Sequence, residues 1–512
     1  MPGSGAGEPP LEQVGPAAVS SCDPEAVVDQ PFLTEGDEVQ LSFHCASGEP
    51  ADAFEADLIS SADGAELDPL TWSVSWSTGF ADGGRHEFLL SVRPAAAAGV
   101  GHDAVPETAV GTVWVADALG HPANEPVVPS LYTEEWGLPV LHLFPGGELT
   151  QEHVPTIITF MGRTYDAEMK IRGAASVYYP KNSYTLRFGD EDLDTGELGL
   201  GTKDHLVLIT SFDDNSYVRQ KLAYDLWAAI ADHWQRDRLT PRTFFAVVYL
   251  NGEYWGLFTA CDRIDDHFAE EMGLSREGNL YKAINHDANF YSTGYSGWPK
   301  ETLHQGYTKE EGEPADGEPG AFDDLDELVA WASTASQSDF IDQMEGWFRV
   351  DEFMDWLLFV HYTASGDSGG KNAYLYNDLE APEFRYAPWD FNHSFGQGWT
   401  TYRIEPYTYD DFTWTNGIFA HFQAHPETSD ELWTRFDELC ESGPLHADWF
   451  TSRLDEYYAR IHPSAQRDWS VWGASYLSYW AAYNDLTYPE ERAYLYDWLA
   501  ERDSWAWADH PQ

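Results

Sequence analysis

The sequence predicts an α+β chain with a helical C-terminal part, preceded by an all-β sandwich, and three observations carry that prediction. Up to about residue 128 the apolar residues alternate in short runs separated by Gly, Asp and Pro clusters, the pattern of half-buried strands. From about residue 138 longer strands interleave with stretches of helical spacing. Over roughly the last hundred residues the spacing is helical, as in Leu495, Trp498, Leu499 and Arg502 behind Pro489. The boundaries read as a lead-in over 1–20, a β-sandwich module over 21–128, a linker over 129–137 and an α+β domain over 138–512.

The lead-in is rich in Gly, Pro, Ala and Ser, the composition of a flexible chain. The runs "EVQLSFHC", "LTWSVSW", "RHEFLLSVRP" and "ETAVGTVWVAD" read as strands of a sandwich of immunoglobulin-like type, suited to tethering, spacing or partner binding. Of the four cysteines, Cys22 and Cys45 can pair in an oxidising compartment, whereas Cys261 and Cys440 read as buried apolar residues. No C-x-x-C pair occurs, so zinc-ribbon and thioredoxin chemistry have no support. In the α+β domain, "TIITFMGRTYDAEMKIRG" and "SYTLRF" start an antiparallel sheet. Ser216 is expected to cap a helix that buries Val218, Leu222, Leu226 and Ile230. "TFFAVVYLNGEYWGLFTACDRI" is a hairpin turned at Asn251-Gly252, and Asp351 is expected to open the helix "VDEFMDWLLFVHY". The acidic stretches "GDEDLDTGE" and "KEEGEPADGEPGAFDDLDE" read as solvated loops, because neither has the ligand spacing of an EF-hand.

Charge excludes several functions. Against 87 acidic residues stand only 28 basic ones, a formal net charge of −59. Phosphate backbones and anionic membranes need clustered Lys and Arg, so nucleic acid is not an expected partner. No run of 18 apolar residues occurs, so no membrane span is expected. "MPGSGAGEPP" has no signal-peptide pattern, yet such acidity suits a secreted or cell-surface protein whose signal has already been removed, in ordinary or high salt. Oligomeric state is left open. The 22 tryptophans sit mostly at core-like positions, which favours packing over sugar binding. Lysine is so scarce, with eight in the chain, that each retained one is a candidate for a task.

The stretch "SGDSGGKNAYLYNDLEAPEFRYAPWDFNHSFG", from Ser365 to Gly396, carries the candidate chemistry. Asp367 follows a buried helix in a Gly-rich turn, Asn372 starts one strand, and the next strand returns to deliver Asp390. Asp, Asn and Gly are ordinary turn residues, which is the plain alternative. Three oxygen-bearing side chains on one sheet edge also suit a hard cation such as Mg²⁺. The order D-x-x-x-x-N, hairpin, Asp is the layout of a kinase catalytic loop followed by its metal loop.

Further segments make the chain resemble the CotH (spore coat protein H) kinase family over roughly residues 138 to 508: "KIRGAASVYYPKNSYTLRF", "DDNSYVRQKLAYDL", "YLNGEYWGLF", "GNLYK" and "APWDFNHSFG". The resemblance implies an atypical protein-kinase-like catalytic domain. It also implies transfer of the ATP γ-phosphoryl group to a protein hydroxyl, serine or threonine, with Mg²⁺ or Mn²⁺ and with Ca²⁺ as a further option. On that reading Asp367 orients or deprotonates the acceptor, Asp390 is the principal metal ligand, and Asn372 and Asn392 complete its shell. Lys181 holds nucleotide phosphates, Arg172 and Ser176 shape the phosphate-facing loop, and Asp262, Lys282 and Lys371 line the cofactor site. For Arg219 a fold-holding ion pair is the favoured role. Two positions depart from the family pattern: Asp262 stands where Glu is common, and Asn392 stands where a second Asp is common. A pseudokinase or adhesin, or a transferase moving another group such as adenylyl, are the alternatives on the same scaffold.

Overall fold

The computed structural model describes residues 21–508 except 29, 31, 35–36, 61, 63, 79–83, 96–105, 117–126, 379–382 and 481. The expected flexible lead-in over 1–20 lies outside the described residues. The chain divides into two compact units, Met1–His121 and Pro122–Gln512.

The described strands of the first unit are β1 (Pro24–Val28), β2 (Phe32–Thr34), β3 (Glu38–Cys45), β4 (Phe54–Ser60), β5 (Glu66–Asp68), β6 (Ser73–Ser77), β7 (Gly84–Pro94) and β8 (Glu107–Ala116). They form two four-stranded sheets, β1-β3-β6-β5 and β2-β8-β7-β4. Alternation decides which face is buried: Val39, Leu41 and Phe43 of β3 and Val74 and Trp76 of β6 point inward. They share one core with Phe88, Leu90 and Val92 of β7 and Val113 and Val115 of β8. The disulfide Cys22–Cys45 lies within this core.

The second unit opens with β9 (Glu134–Glu135), β10 (Leu138–Pro145), β11 (Val154–Phe160), β12 (Arg163–Arg172), β13 (Ser183–Phe188), β14 (Leu193–Asp194), β15 (Thr202–Lys203) and β16 (His205–Thr210). Helix α1 (Arg219–His233) leads to the hairpin β17 (Thr243–Leu250) and β18 (Glu253–Cys261). At its turn Asn251 and Gly252 have φ of 54° and 83°, the left-handed pair a tight two-residue turn requires. The sheet order is β11-β12-β13-β16-β18-β17-β10-β9, and β11 also pairs with β10. The sheet therefore closes on itself, leaving β9 outside the ring and removing open edges. Its interior is filled by Leu143, Ile158, Met169, Leu186, Leu208, Val248 and Phe258 among others.

Next come α2 (Asp266–Glu271), β19 (Asn279–Ala283), β20 (Tyr307–Glu311), α3 (Asp323–Thr334), α4 (Gln337–Gln343) and α5 (Val350–Tyr362). The hairpin β21 (Ala373–Asn377) and β22 (Phe384–Pro388) joins β19 and β20 in a second sheet, ordered β20-β19-β21-β22. The chain ends in α6 (Gly417–Ala424), α7 (Pro426–Glu441), α8 (Ala447–Tyr479) and α9 (Tyr488–Ala508).

Three local expectations change. Ser216 does not cap α1: Asp214 accepts the Arg219 N–H at 3.0 Å and also holds Ser216, because its longer carboxylate reaches both. Asp351 lies inside the first turn of α5 and Arg349 occupies the cap position without a side-chain bond. Residues 129–137, expected to be a linker, are part of the second unit, where Glu135 is buried and pairs with Arg467 of α8 at 2.7 Å.

Candidate active site

The β21–β22 hairpin sets the site. Ala373 pairs with Pro388, and one step beyond, the Trp389 N–H donates to Asn372 O at 3.1 Å. The mouth of the hairpin thus brings Asn372 beside Asp390. Both have left-handed backbone, with φ of 58° and 63°, and the Asn372 amide donates to Asp390 O at 3.4 Å. Backbone of this kind concentrates where side chains must be aimed. Asp390 is exposed, and its carboxylate has no hydrogen-bond or ion-pair partner among the described residues. The amide nitrogens of Asn372 and Asn392 are engaged, while among the described residues their side-chain oxygens have no hydrogen-bond partner. The free oxygens of Asp390, Asn372 and Asn392 are of the donor type a hard divalent cation takes.

The loop after Asp390 is held from behind by the "DDNSYVRQ" segment. Gln220 accepts the Phe391 N–H at 2.8 Å, and Arg219 donates to the carbonyls of Ser394 and Phe395 at 3.0 and 3.4 Å. Arg219 is fully buried between Asp214 and Glu491, at 2.8 and 2.7 Å, which is the fold-holding role expected of it. Asp213 lies 3.0 Å from both the Asn392 amide and His393 Nε2, and its carbonyl accepts from Gln397 at 2.7 Å. Burial opposes charge on His393, but the Asp213 carboxylate outweighs it and raises the imidazole pKa. The same contacts explain Asn392. Its amide donates to Asp213, whereas a second aspartate there would face a carboxylate.

Asp367 lies in the single-turn helix Gly366–Gly369. Burial favours the neutral carboxyl. The hydrogen bond from His286 and the charge of Lys371 outweigh that and bring its pKa to about 2. Lys371 Nζ is 3.0 Å from one oxygen and His286 Nε2 is 3.4 Å from the other. The ring of Tyr295 stacks on His286 at 4.7 Å.

Two cations lie over the Trp389 ring beside Asp390. Arg172, the last residue of β12, places its guanidinium 4.6 Å from the Trp389 ring, and its Nη1 is buried without a hydrogen-bond partner. Lys282, on β19, holds its ammonium 5.7 Å from Trp389 and 5.5 Å from Tyr374. Neither is ion-paired to a carboxylate among the described residues. Burial and the charge of Arg172 lower the Lys282 pKa, with Glu310 and Asp390 opposing. In a chain this acidic, two basic groups without carboxylate partners beside an exposed aspartate form an anion-binding arrangement.

Other expected site residues are placed elsewhere. Lys181 is 0% exposed and donates to Leu257 O, Asp468 and the Tyr476 hydroxyl at 2.8, 2.5 and 3.0 Å. The expectation that it holds phosphates is therefore corrected, since the ammonium has neither surface nor spare bonds to offer. Asp262 is also fully buried and is taken by Arg242 and Lys203 at 2.9 and 2.8 Å, so it closes an ion-pair network instead of lining the cleft. Ser176 is half-buried in the turn Ala175–Tyr178. Its neighbour Gly173 has φ of 115° and packs so closely that a Cβ would fall 1.9 Å from the Ser176 hydroxyl, which accounts for the Gly in R-G-x-x-S.

His286, Asp213 and His393 contact the expected site residues and were not singled out by motif reading, although the last two lie inside the quoted family segments. Another cluster, Asp204, His205 and Asp265, has the ligand spacing of a metal group and lines a pocket of about 220 Å³. Its charges are already engaged: Asp204 pairs with His205 and His267 at 3.0 and 3.3 Å. Asp265 caps α2 and faces Arg263 at 3.7 Å.

A family model described as CotH kinase protein matches residues 169–506, more than half of the chain, and the chain belongs to this family. It is similar to the inner spore coat protein H of Bacillus subtilis (strain 168), with 24% identity over 245 residues. That match covers 48% of this chain and 63% of the relative. Among solved structures, an endo-fucoidan hydrolase of glycoside hydrolase family 107 matches 34% of this chain and 28% of its own, at 15% identity. Its TM-score of 0.14 carries no argument about fold or function.

Proposed function

We propose that this chain is an atypical kinase of CotH type that transfers the γ-phosphoryl group of ATP to a serine or threonine hydroxyl of a protein. The observation that carries the reading is the gathering of opposite charges around Trp389: among the described residues Asp390 has no partner, and Arg172 and Lys282 have no carboxylate. A nucleotide polyphosphate with its divalent cation supplies what each group lacks. Asp390, Asn372 and Asn392 would hold the cation, Mg²⁺ or Mn²⁺, which when bound neutralises charge on the phosphates. Arg172 and Lys282 bind phosphate oxygens.

Asp367 accepts the hydrogen bond of the acceptor hydroxyl, while Lys371 and His286 keep its carboxylate aimed. A carboxyl with pKa about 2 is a weak proton acceptor, so its contribution is orientation with late proton transfer. That suits phosphoryl transfer, whose loose transition state asks more of positioning and charge than of early deprotonation. A kinase-like layout is supported by the hairpin that separates Asp367 and Asn372 from Asp390. The first unit is read as an immunoglobulin-like sandwich that tethers or spaces the catalytic unit. The Cys22–Cys45 bridge and the spore-coat relative support an extracytoplasmic or surface location.

Incubation with ATP and Mn²⁺ followed by intact-mass measurement tests the reading. A gain of phosphate on the chain or on an added coat protein is expected. A gain of AMP would assign a different transfer to the same cleft. No gain with wild type, together with no ATP binding, would leave a binding protein.

A further inference from the structure

Three segments quoted for the family converge on a single buried carboxylate outside the cleft. Asp468, in the C-terminal helix α8, is 0% exposed. It takes Lys181 from "YYPKNSYTLRF" at 2.5 Å, the hydroxyl of Tyr217 from "DDNSYVRQ" at 2.9 Å, and the backbone N–H of Leu257 from "NGEYWGLF" at 2.8 Å. Tyr476, one helical stretch further along α8, bonds both Asp468 and Lys181, at 2.5 and 3.0 Å. Gly256 makes room for the cluster: with φ of 139°, a Cβ there would lie 2.4 Å from Asp468 and 2.6 Å from the Lys181 side chain.

The placement of this cluster links it to phosphate binding. Loop 173–182 closes the β12–β13 hairpin, and Arg172 pairs directly with Ser183 across it, so Lys181 lies two residues from the partner of Arg172. The Asn182 amide donates back to the carbonyls of Ser176, Val177 and Tyr179 at 3.2, 3.1 and 3.0 Å, making the loop one stiff piece. Holding Lys181 therefore holds the strand end from which Arg172 reaches over Trp389.

We infer that Lys181 and Asp468 are positioning residues: their buried pair clasps the 173–182 loop to helix α8 and thereby sets Arg172 over Trp389 for phosphate binding. The inference rests on the proposed nucleotide site, and it assigns Lys181 an action through Arg172 with no contact to nucleotide.

The test is the double variant Lys181→Met with Asp468→Asn, which removes both charges yet leaves an amide oxygen to accept the Leu257 N–H, with the amide nitrogen facing the hydroxyls of Tyr217 and Tyr476. Tyr476→Phe serves as a milder second variant that keeps both charges. Amide hydrogen exchange over 172–182 and the Kd for ATP with Mn²⁺ are measured on each, with melting curves to show that the fold is retained. Faster exchange confined to this loop together with a Kd raised about tenfold in the double variant, and a smaller change of the same sign in Tyr476→Phe, are expected. A retained fold with unchanged exchange, or with faster exchange and unchanged Kd, overturns the inference. Arg172→Ala separates the two claims. If it leaves ATP binding untouched, the nucleotide site is wrong. If it weakens binding while the double variant does not, only the clasp is wrong.

Discussion

The cleft at Asp390 and the buried cluster at Asp468 use the same chemical parts and arrange them oppositely. Each has carboxylate, cation and aromatic ring. At Asp468 every group is satisfied: four donors reach one carboxylate inside the fold. At Asp390 the carboxylate is exposed, Arg172 and Lys282 lie over Trp389, and among the described residues none of the three has an ion-pair partner. Both sets of residues lie in family segments, so motif membership alone does not separate a fold-holding group from one with bonding capacity left for a ligand. A satisfied buried pair is costly to break and has nothing left to give. Groups held near one another without partners are poised for an incoming molecule.

That contrast is broken most directly at the two lysines. Lys181→Ala leaves Asp468 buried and unpaired, so it is expected to lower unfolding free energy by about 3–5 kcal/mol in urea denaturation. Lys282→Ala removes no ion pair and should change stability by under about 1 kcal/mol, while weakening ATP–Mn²⁺ binding about tenfold or more through the lost charged hydrogen bonds. Equal stability losses in the two variants would erase the distinction.

Within the cleft itself, Asp367→Ala is expected to cut phosphoryl transfer about 10²-fold and to retain most of the thermal shift given by ATP with Mn²⁺. Loss of that shift along with activity would mean that Asp367 belongs to nucleotide binding and not to the acceptor.

Acid acts differently on the two regions. Burial depresses the His462 pKa in α8 from 6.5 to about 4. A depressed folded-state pKa means that its contribution is fully present above about 6.5 and is lost as pH falls through about 4, because the unfolded chain takes the proton first. Asp367 stays ionised down to about 2. Melting temperature should therefore fall between pH 6.5 and 4.5 while the charge of Asp367 persists, and His462→Asn should flatten the decline by on the order of 1 kcal/mol. An unchanged slope in that variant would place the acid sensitivity elsewhere.

Added salt gives the smallest effect. With a net charge of −59, self-repulsion is screened as NaCl rises, and melting temperature should increase modestly toward molar salt. A flat curve would mean that the ion pairs spread across the surface already balance that charge.

What could be read from the sequence was local. The Asn251-Gly252 turn, the hairpin that joins Asn372 to Asp390, and the alternating strands of the first unit follow from neighbouring residues, and the structure has each of them. The fate of Lys181 and Asp262 was not readable, because it depends on partners far along the chain: Asp468 lies 287 residues from Lys181. Ser216 looked like the cap of α1 on spacing alone, but Asp214 two residues earlier reaches the same N–H with a stronger acceptor. The linker expectation failed similarly. Nothing near Glu135 announces that Arg467 will bury it.

On the proposed function, nucleotide phosphates and their cation are held at Asp390 and not at Lys181. Calorimetric titration of ATP with Mn²⁺ into wild type and Asp390→Ala tests it most directly. Measurable binding to wild type and a loss of about 10²-fold or more in the variant, with the melting temperature kept, is the predicted result. Binding of equal strength to both proteins would contradict it.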